Sequence, residues 1–272
     1  MQATGNNNYN KLQARLTIRI GYGTLSFSAV DREASPQLVY EPYAVKGGIS
    51  MAANLRQAFA ESELLGKGYN KARVFIDSPI LAIPAEEFRE EELETLYRHA
   101  FTHHDSDALL YRVQPSLNMV AAFCINRDLK MVIEDNFSDV RFTPILQPVW
   151  SHLQQRSFTG VYRKLYAYFH EKRLEIFSFD KNRIKYFNSF AIDHAKDALY
   201  FLLYVWKQLG FSQQQDELHL IGSLPDREWL LYNAKLYVRK TFVLNPSAEF
   251  NRSPITEIKD IPFDLLTLCL GK

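Results

Sequence analysis

The chain has 272 residues, of which 47% are hydrophobic and 23% are charged, a composition typical of a globular protein with one large core or two smaller ones. The 32 basic and 31 acidic residues leave a formal net charge of +1, which argues against binding of nucleic acid or membrane surfaces through bulk charge. No apolar run approaches the roughly 20 residues that a membrane-spanning helix needs.

The start of the chain and the two cysteines indicate the compartment. The segment MQATGNNNYNKLQ has no apolar stretch of the kind found in secretory signals, so we expect a cytoplasmic protein. Cys124 and Cys269 both lie in apolar surroundings, which favours two buried thiols over a disulfide or a metal site. The asparagine-rich residues 1–14 are predicted to form a disordered tail.

The first ordered segment is predicted to be an antiparallel meander followed by a helix and a further strand. Glycines in Gly21-Tyr22-Gly23 allow a tight turn between the first two strands, and Ser50 can cap the helix. Alternating apolar and polar residues predict strands at Arg15 to Ile20, Thr24 to Val30, Gln37 to Val45 and Ala72 to Ile76.

The middle of the chain is predicted to be mixed helix and strand. Phe88 to Phe101 reads as a helix whose acidic block forms a solvated face. His103-His104-Asp105 follows in a loop, and adjacent histidines chelate poorly without a third ligand, so no metal site is predicted there. Further elements are predicted as strands at Ala108 to Val113, Leu117 to Ile125 and Val140 to Phe142, and as helices at Asp128 to Phe137 and Gln147 to Gln154.

The last part of the chain repeats the first pattern. Asp193 is predicted to cap a long helix that ends at Gly210, and Pro262 to Leu270 forms an amphipathic helix that docks on the chain's own body rather than on a partner. A second meander is predicted at Leu165 to Phe169, Leu174 to Phe179 and Ile184 to Phe190, followed by strand Leu218 to Ile221, helix Asp226 to Val238 and strand Thr241 to Leu244. The repeat predicts an α/β protein with two lobes, at residues 15–155, with an inserted hairpin and helix, and at residues 156–272.

Two meanders, each followed by alternating helices and strands, resemble the duplicated ribonuclease H-like architecture of the actin-like ATPase superfamily. The segment NMVAAFCINRDLKMVIEDNFSDVRFTPILQPVWSHL, at 118–153, is similar to the part of actin-like type IV pilus assembly and cell-division proteins that leads from one lobe to the other. The chain also resembles an uncharacterised Bacteroidetes family to which this fold is attributed. The resemblance covers about 15–246.

The resemblance implies a nucleotide cleft with ATP and Mg²⁺, and this chain departs from it. Relatives that hydrolyse ATP place a carboxylate and glycines in the first hairpin of each lobe, but Arg19 stands at the acidic position here. The second hairpin, Ala167 to Arg173, contains no glycine, and its His170 has no identifiable partner. The implied cofactor-binding residues are Gly21, Gly23 and Thr24 for the phosphates, and Gly222 and Ser223 for the nucleoside.

Two hypotheses from different classes follow. The favoured one is a non-catalytic, degenerate actin-like protein with no cofactor, which serves as a scaffold or binds a protein partner. The alternative is an ATP-binding actin-like ATPase with a rearranged cleft. A nuclease is disfavoured because the first strands carry no carboxylates, and no other catalytic motif is present. Aromatic candidates for a partner site are Tyr162, Tyr166, Tyr168, Tyr186 and Phe187.

Overall fold

The computed structural model describes residues 15–31, 35–104 and 106–271; the predicted tail and Asp105 of the predicted loop lie outside them. The chain divides into two compact units. The first extends to Val113 and includes Val120–Gln147, and the second comprises Gln114–Met119 and the chain from Pro148 onward. Each unit contains one five-stranded sheet.

The described elements are numbered in chain order. The strands are β1 (Arg15–Ile20), β2 (Leu25–Val30), β3 (Leu38–Tyr43), β4 (Lys71–Ile76), β5 (Leu81–Pro84), β6 (Asp107–Gln114), β7 (Met119–Asn126), β8 (Asp139–Pro144), β9 (Lys164–His170), β10 (Arg173–Asp180), β11 (Arg183–Ala191), β12 (Glu217–Gly222) and β13 (Lys240–Val243). The helices are α1 (Met51–Glu61), α2 (Glu90–Ala100), α3 (Arg127–Asn136), α4 (Leu146–Ser157), α5 (Ala195–Gln208), α6 (Arg227–Tyr237), α7 (Pro246–Glu249) and α8 (Phe263–Leu270).

The main sheet of the first unit has the strand order β3-β2-β1-β4-β8. The pairs β1–β2 and β2–β3 are antiparallel, so the predicted meander is confirmed, whereas β1–β4 and β4–β8 are parallel. Leu16 and Ile18 on β1 are fully buried, as the alternation of apolar residues predicts. Helix α1 begins as expected, because the Ser50 hydroxyl accepts a hydrogen bond from the N–H of Ala53.

The sheet of the second unit repeats this arrangement with the order β11-β10-β9-β12-β13. Its first three strands pair antiparallel, and β9–β12 and β12–β13 pair parallel. All seven residues of the central strand β9 are buried. The core beneath this sheet includes Leu165, Ala167, Phe169, Leu174, Ile176, Leu202, Trp206, Leu218, Leu220 and Leu230.

The first unit also contains a smaller, three-stranded sheet of order β5-β7-β6. Helix α2 packs on this smaller sheet. The predicted pair of strands is confirmed as β6 and β7, whereas β5 was not anticipated because Pro79 lies only two residues before its first residue. This sheet has a small core of its own, formed by Ile83, Leu93, Tyr97, Ala122 and Cys124.

The predicted N-cap of the long second-unit helix was wrong. Helix α5 has His194 at the N-cap position, and Asp193 precedes it. Asp197 lies three residues after His194, and its carboxylate accepts hydrogen bonds from the backbone N–H groups of Asp193 (3.2 Å) and His194 (2.9 Å). A carboxylate in the first turn can reach back to unpaired N–H groups, so Asp197 takes over the capping task.

The cysteines and the last helix follow the expectations in part. No disulfide joins Cys124 to Cys269; Cys124 is buried, whereas Cys269 is only partly buried, which corrects the prediction of two buried thiols. Helix α8 docks on its own unit as predicted, with Phe263, Leu265 and Leu266 buried.

Candidate functional site

The β1–β2 hairpin of the first unit carries three of the predicted nucleotide-binding residues. The N–H of Gly21 donates to the carbonyl oxygen of Thr24 over 2.9 Å and closes the turn. Arg19 is only 3% exposed, and its guanidinium Nη1 donates to Thr24 Oγ1 at 3.0 Å. The position at which the resemblance implies a carboxylate thus holds a buried cation bonded to the turn.

The two glycines of this hairpin meet different constraints. Gly21 is buried and its N–H is part of the turn. A Cβ at Gly23 would have no heavy atom within 4 Å, so the space at Gly23 does not require glycine. Tyr22, between them, is 79% exposed.

The β9–β10 hairpin is the corresponding turn of the second unit. Its two turn residues, Glu171 and Lys172, have φ values of 42° and 64°, as in the tight type I′ turns that join antiparallel strands. The carbonyl oxygen of Lys172 accepts from the N–H of Ile192 at 2.9 Å. A two-residue turn with long side chains leaves no glycine-lined loop of the kind that cradles phosphate.

A buried polar network lies behind this turn. His170 Nε2 lies 3.3 Å from Glu175 Oε1, and both residues are buried. The same carboxylate oxygen accepts from Ser189 Oγ at 2.9 Å, and Arg173 Nη2 donates to Ser189 Oγ at 2.7 Å. The expectation that His170 has no partner was therefore wrong, because Glu175 on the adjacent strand was not considered. The sequence did contain a signal for this pair: Glu175 is an acidic residue at an inward-facing position of an otherwise apolar strand.

Gly222 and Ser223, the remaining predicted residues, lie at the end of β12 in the second unit. Gly222 has φ +88°, and a Cβ there would lie 2.2 Å from the Phe169 carbonyl oxygen and 3.0 Å from the Tyr168 ring. The N–H of Ser223 donates to the same carbonyl oxygen at 3.0 Å. The glycine is therefore required by the close approach of β12 to β9.

Tyr168 connects this region to the C-terminal helix. Its ring stacks on His170 with centroids 4.9 Å apart, and its hydroxyl donates to Asp264 Oδ2 at 2.7 Å. Tyr166 and Tyr168, two of the aromatic candidates for a partner site, are each only 1% exposed, so the prediction is wrong for both. The second unit thus brings Gly222 and Ser223 together with Tyr168, Phe169 and the buried His170. Gly21, Gly23 and Thr24 cluster separately in the first unit.

Exposed apolar side chains, most of them tyrosines, lie on two helices of the second unit. On α5, the rings of Tyr200 and Tyr204 are near-parallel, with centroids 6.2 Å apart and an interplanar angle of 15°. On α6, Tyr232, Leu236 and Tyr237 are 67%, 62% and 49% exposed. Sequence reasoning missed these residues because the burial of each helix face was unknown.

A family model with the description "Protein of unknown function (DUF3822)" matches residues 3–241. The chain belongs to this family. No curated protein matches this DUF3822 chain. Among the described residues, none of the helices combines the length and apolarity needed to cross a membrane.

Solved structures establish the fold of the DUF3822 chain. It is similar to a Bacteroides thetaiotaomicron protein described as having an actin-like ATPase fold and unknown function, with 28% identity, a TM-score of 0.80, and coverage of 93% of this chain and 99% of that chain. A chain of the PilM-PilN type IV pilus biogenesis complex is similar at 11% identity and a TM-score of 0.56, with coverage of 94% and 97%. The DUF3822 chain therefore has the actin-like ATPase fold, as predicted.

Proposed function

We propose that this chain is a non-catalytic member of the actin-like fold that acts as a scaffold or protein-binding module. One observation carries the proposal: the backbone N–H groups of Gly21 and Ser223 donate to carbonyl oxygens of the chain itself. Folds of this kind hold phosphate groups with backbone N–H groups that point at the ligand. An N–H group that already donates to a carbonyl oxygen is not available to bind a phosphate.

The charge of the first hairpin supports the same proposal. Mg²⁺ is bound by carboxylates, water and substrate phosphates. Arg19 occupies the position at which the resemblance implies the carboxylate, and it is held by Thr24 Oγ1 at 3.0 Å. A guanidinium has no oxygen with which to bind Mg²⁺ or its water shell as a carboxylate does.

The helices α5 and α6 supply surface for a protein partner. Tyrosine is enriched at protein interfaces because one side chain offers a large apolar ring and a polar tip. Tyr200 and Tyr232 are more than 60% exposed, at 63% and 67%. We take these two residues as the centres of the proposed partner-binding faces.

A nucleotide titration tests the non-catalytic part of the proposal. The purified protein is heated with ATP or ADP, each with and without Mg²⁺, and with Mg²⁺ alone as the control. A ligand present at 100 times its Kd stabilises the native state by about 2.7 kcal/mol, which a thermal shift detects readily. We expect no shift at millimolar nucleotide; a saturable, Mg²⁺-dependent shift would establish the alternative, an ATP-binding cleft.

The choice of variants matters if a shift occurs. Thr24→Ala and Ser223→Ala each remove a hydroxyl from a predicted nucleotide position and leave the backbone unchanged. Substitution of Gly222 is unsuitable, because an added Cβ lies 2.2 Å from a backbone oxygen and disturbs the fold whether or not a nucleotide binds. A shift abolished by the first two variants would locate the nucleotide at the predicted residues.

A comparison of immobilised variants tests the partner surface. The double variant Tyr200→Ser/Tyr232→Ser is compared with wild type and with Met131→Ser, which alters a 56% exposed residue on α3. We expect proteins from the source cells to be retained by wild type and by Met131→Ser but lost from the double variant. Equal retention by all three would argue against α5 and α6 as the partner surface.

A further inference from the structure

Three side chains with metal-binding atoms converge beside the small sheet of the first unit. His104 lies in the loop after α2, Asp107 begins β6, and Cys124 lies in β7. His104 Nδ1 lies 2.8 Å from Asp107 Oδ2 and 3.4 Å from Cys124 Sγ, and the sulfur lies 3.6 Å from the same Asp107 oxygen. All three donor atoms lie within 4.8 Å of one another.

These separations match the ligand shell of a tetrahedral metal ion. Zn–S bonds of about 2.3 Å and Zn–N or Zn–O bonds of about 2.0–2.2 Å place neighbouring ligand atoms roughly 3.3–3.7 Å apart. The two distances to Cys124 Sγ already fall in that range. Only the Nδ1–Oδ2 distance of 2.8 Å is shorter, and it is that of a hydrogen bond.

We propose that His104, Asp107 and Cys124 form a binding site for a divalent ion of the zinc class. Thiolate, imidazole and carboxylate together select a borderline-soft ion rather than Mg²⁺ or Ca²⁺. One thiolate and one carboxylate balance the two positive charges of the ion, so the bound site is neutral, which suits its partial burial. The Cys124 sulfur gives up its S–H proton to solvent when the S–metal bond forms.

The surroundings of the three ligands are those of a supported site. The N–H of Cys124 donates to Ser78 Oγ at 3.3 Å, which holds the part of β7 that carries the sulfur, and the Tyr97 hydroxyl donates to the carbonyl oxygen of Pro79 at 2.7 Å. The Tyr97 ring also meets the His104 ring edge-on, with centroids 6.5 Å apart. Arg98 Nη1 donates to the His104 carbonyl oxygen at 3.4 Å, which restrains the loop.

The position of the site indicates what the ion does. Within the described part of the chain, five buried side chains form the core of the small sheet, and a bound metal ion adds its binding free energy to the stability of such a core. An ion bound here ties the loop after α2 to the strand β7. The side chains of His104 and Asp107 are 27% and 17% exposed, so water can take the fourth position from their side.

A catalytic Cys-His-Asp arrangement is a poorer explanation of the same cluster. In such a triad, the nucleophile and the carboxylate bind different nitrogens of the imidazole. Here Nδ1 of His104 faces both Cys124 and Asp107. A single atom facing both groups fits a shared ion or a plain hydrogen-bond network, and the experiment below separates these two.

The test titrates the full-length protein with Co²⁺ alone and then with Zn²⁺. We expect one Co²⁺ per chain, with a near-ultraviolet sulfur-to-metal charge-transfer band and visible bands of tetrahedral intensity. Zn²⁺ should displace Co²⁺, because it binds such sites more tightly. Absence of the charge-transfer band at saturating Co²⁺ would mean a hydrogen-bond network only and would overturn the proposal.

Matched variants assign the band to residues. Cys124→Ser should abolish it, and His104→Ala should weaken binding by more than the roughly 10–100-fold that loss of an outer hydrogen-bond partner costs. Cys269→Ser and His103→Ala are the controls and should leave the spectrum unchanged. Circular dichroism of the metal-free variants checks folding. The proposal fails if folded Cys124→Ser keeps the band, or if Cys269→Ser loses it.

Discussion

Tyr168 donates its hydroxyl hydrogen to Asp264 Oδ2 at 2.7 Å, across 96 residues of sequence, and both residues are buried. The bond fastens helix α8 to the central strand β9 of the second unit. Tyr166, two residues earlier on the same strand, is also buried, but its hydroxyl makes no hydrogen bond within the described part of the chain. The pair of tyrosines therefore offers a matched test of what a buried hydroxyl contributes.

We expect Tyr168→Phe to lower the free energy of unfolding by about 1–3 kcal/mol, because the buried Asp264 carboxyl loses a donor. Tyr166→Phe removes a hydroxyl that is buried without a partner, so it should be neutral or stabilising. Urea unfolding followed by circular dichroism measures both. Equal losses in the two variants would show that the bond to Asp264 does not stabilise α8.

Gly222→Ala should destabilise the second unit strongly. The left-handed backbone at φ +88° costs a non-glycine residue about 1–3 kcal/mol, and the new Cβ also overlaps the Phe169 carbonyl oxygen. Gly23→Ala is the control, because its Cβ meets no atom within 4 Å. It should change stability by less than about 0.5 kcal/mol. Thermal unfolding distinguishes them, and a well-folded Gly222→Ala protein would contradict the packing argument.

His152 should make the second unit sensitive to acid. Burial, and then the charge of Arg156, lower the pKa of His152 from 6.5 to about 4, while its ring bonds to Glu249 at 2.6 Å. Between these two pH values the unfolded chain binds a proton that the folded chain does not, so stability falls as pH falls from 6.5 towards about 4. The loss should be roughly 2 kcal/mol after allowance for solvent screening.

The measurement for His152 is urea unfolding at several pH values across that window. His152→Gln keeps an N–H donor for Glu249 but cannot take up a proton. We expect the variant to lose most of the wild-type slope of stability against pH in the window. An unchanged slope would assign the acid sensitivity to other groups.

Asp216 should stabilise the segment before β12 through its pair with Arg163. Although burial opposes it, the Arg163 guanidinium at 2.7 Å and the Ser212 N–H at 2.6 Å lower the pKa of Asp216. We expect Asp216→Ala to cost about 2–3 kcal/mol, less than a fully buried pair, because Arg163 is 44% exposed. Glu61→Ala, which breaks the exposed pair with Lys46, should leave stability nearly unchanged, and similar losses in both would contradict the role of burial.

Local sequence patterns predicted most of the elements and their order. Alternation in Arg15 to Ile20 and in Leu174 to Phe179 identified strands, and the Ser50 cap located the start of α1. These signals succeed because the periods of strands and helices, and the capping of a free N–H group, depend only on residues a few positions apart. The cap of α5 was misassigned because the helix begins one residue later than expected, with His194 at the N-cap position, and the carboxylate that binds the N–H groups at its start is that of Asp197 in the first turn.

The composition of each candidate site was decided by tertiary structure. His170 meets Glu175 because β9 and β10 pair in one particular register, and Tyr168 meets Asp264 across 96 residues. The sequence around His103 and His104 offers no further metal ligand that is evidently in place, yet folding brings the Cys124 sulfur to His104. Sequence periodicity reveals which face of a strand is buried, but which distant side chains share that interior depends on strand order and register, which only the folded chain defines.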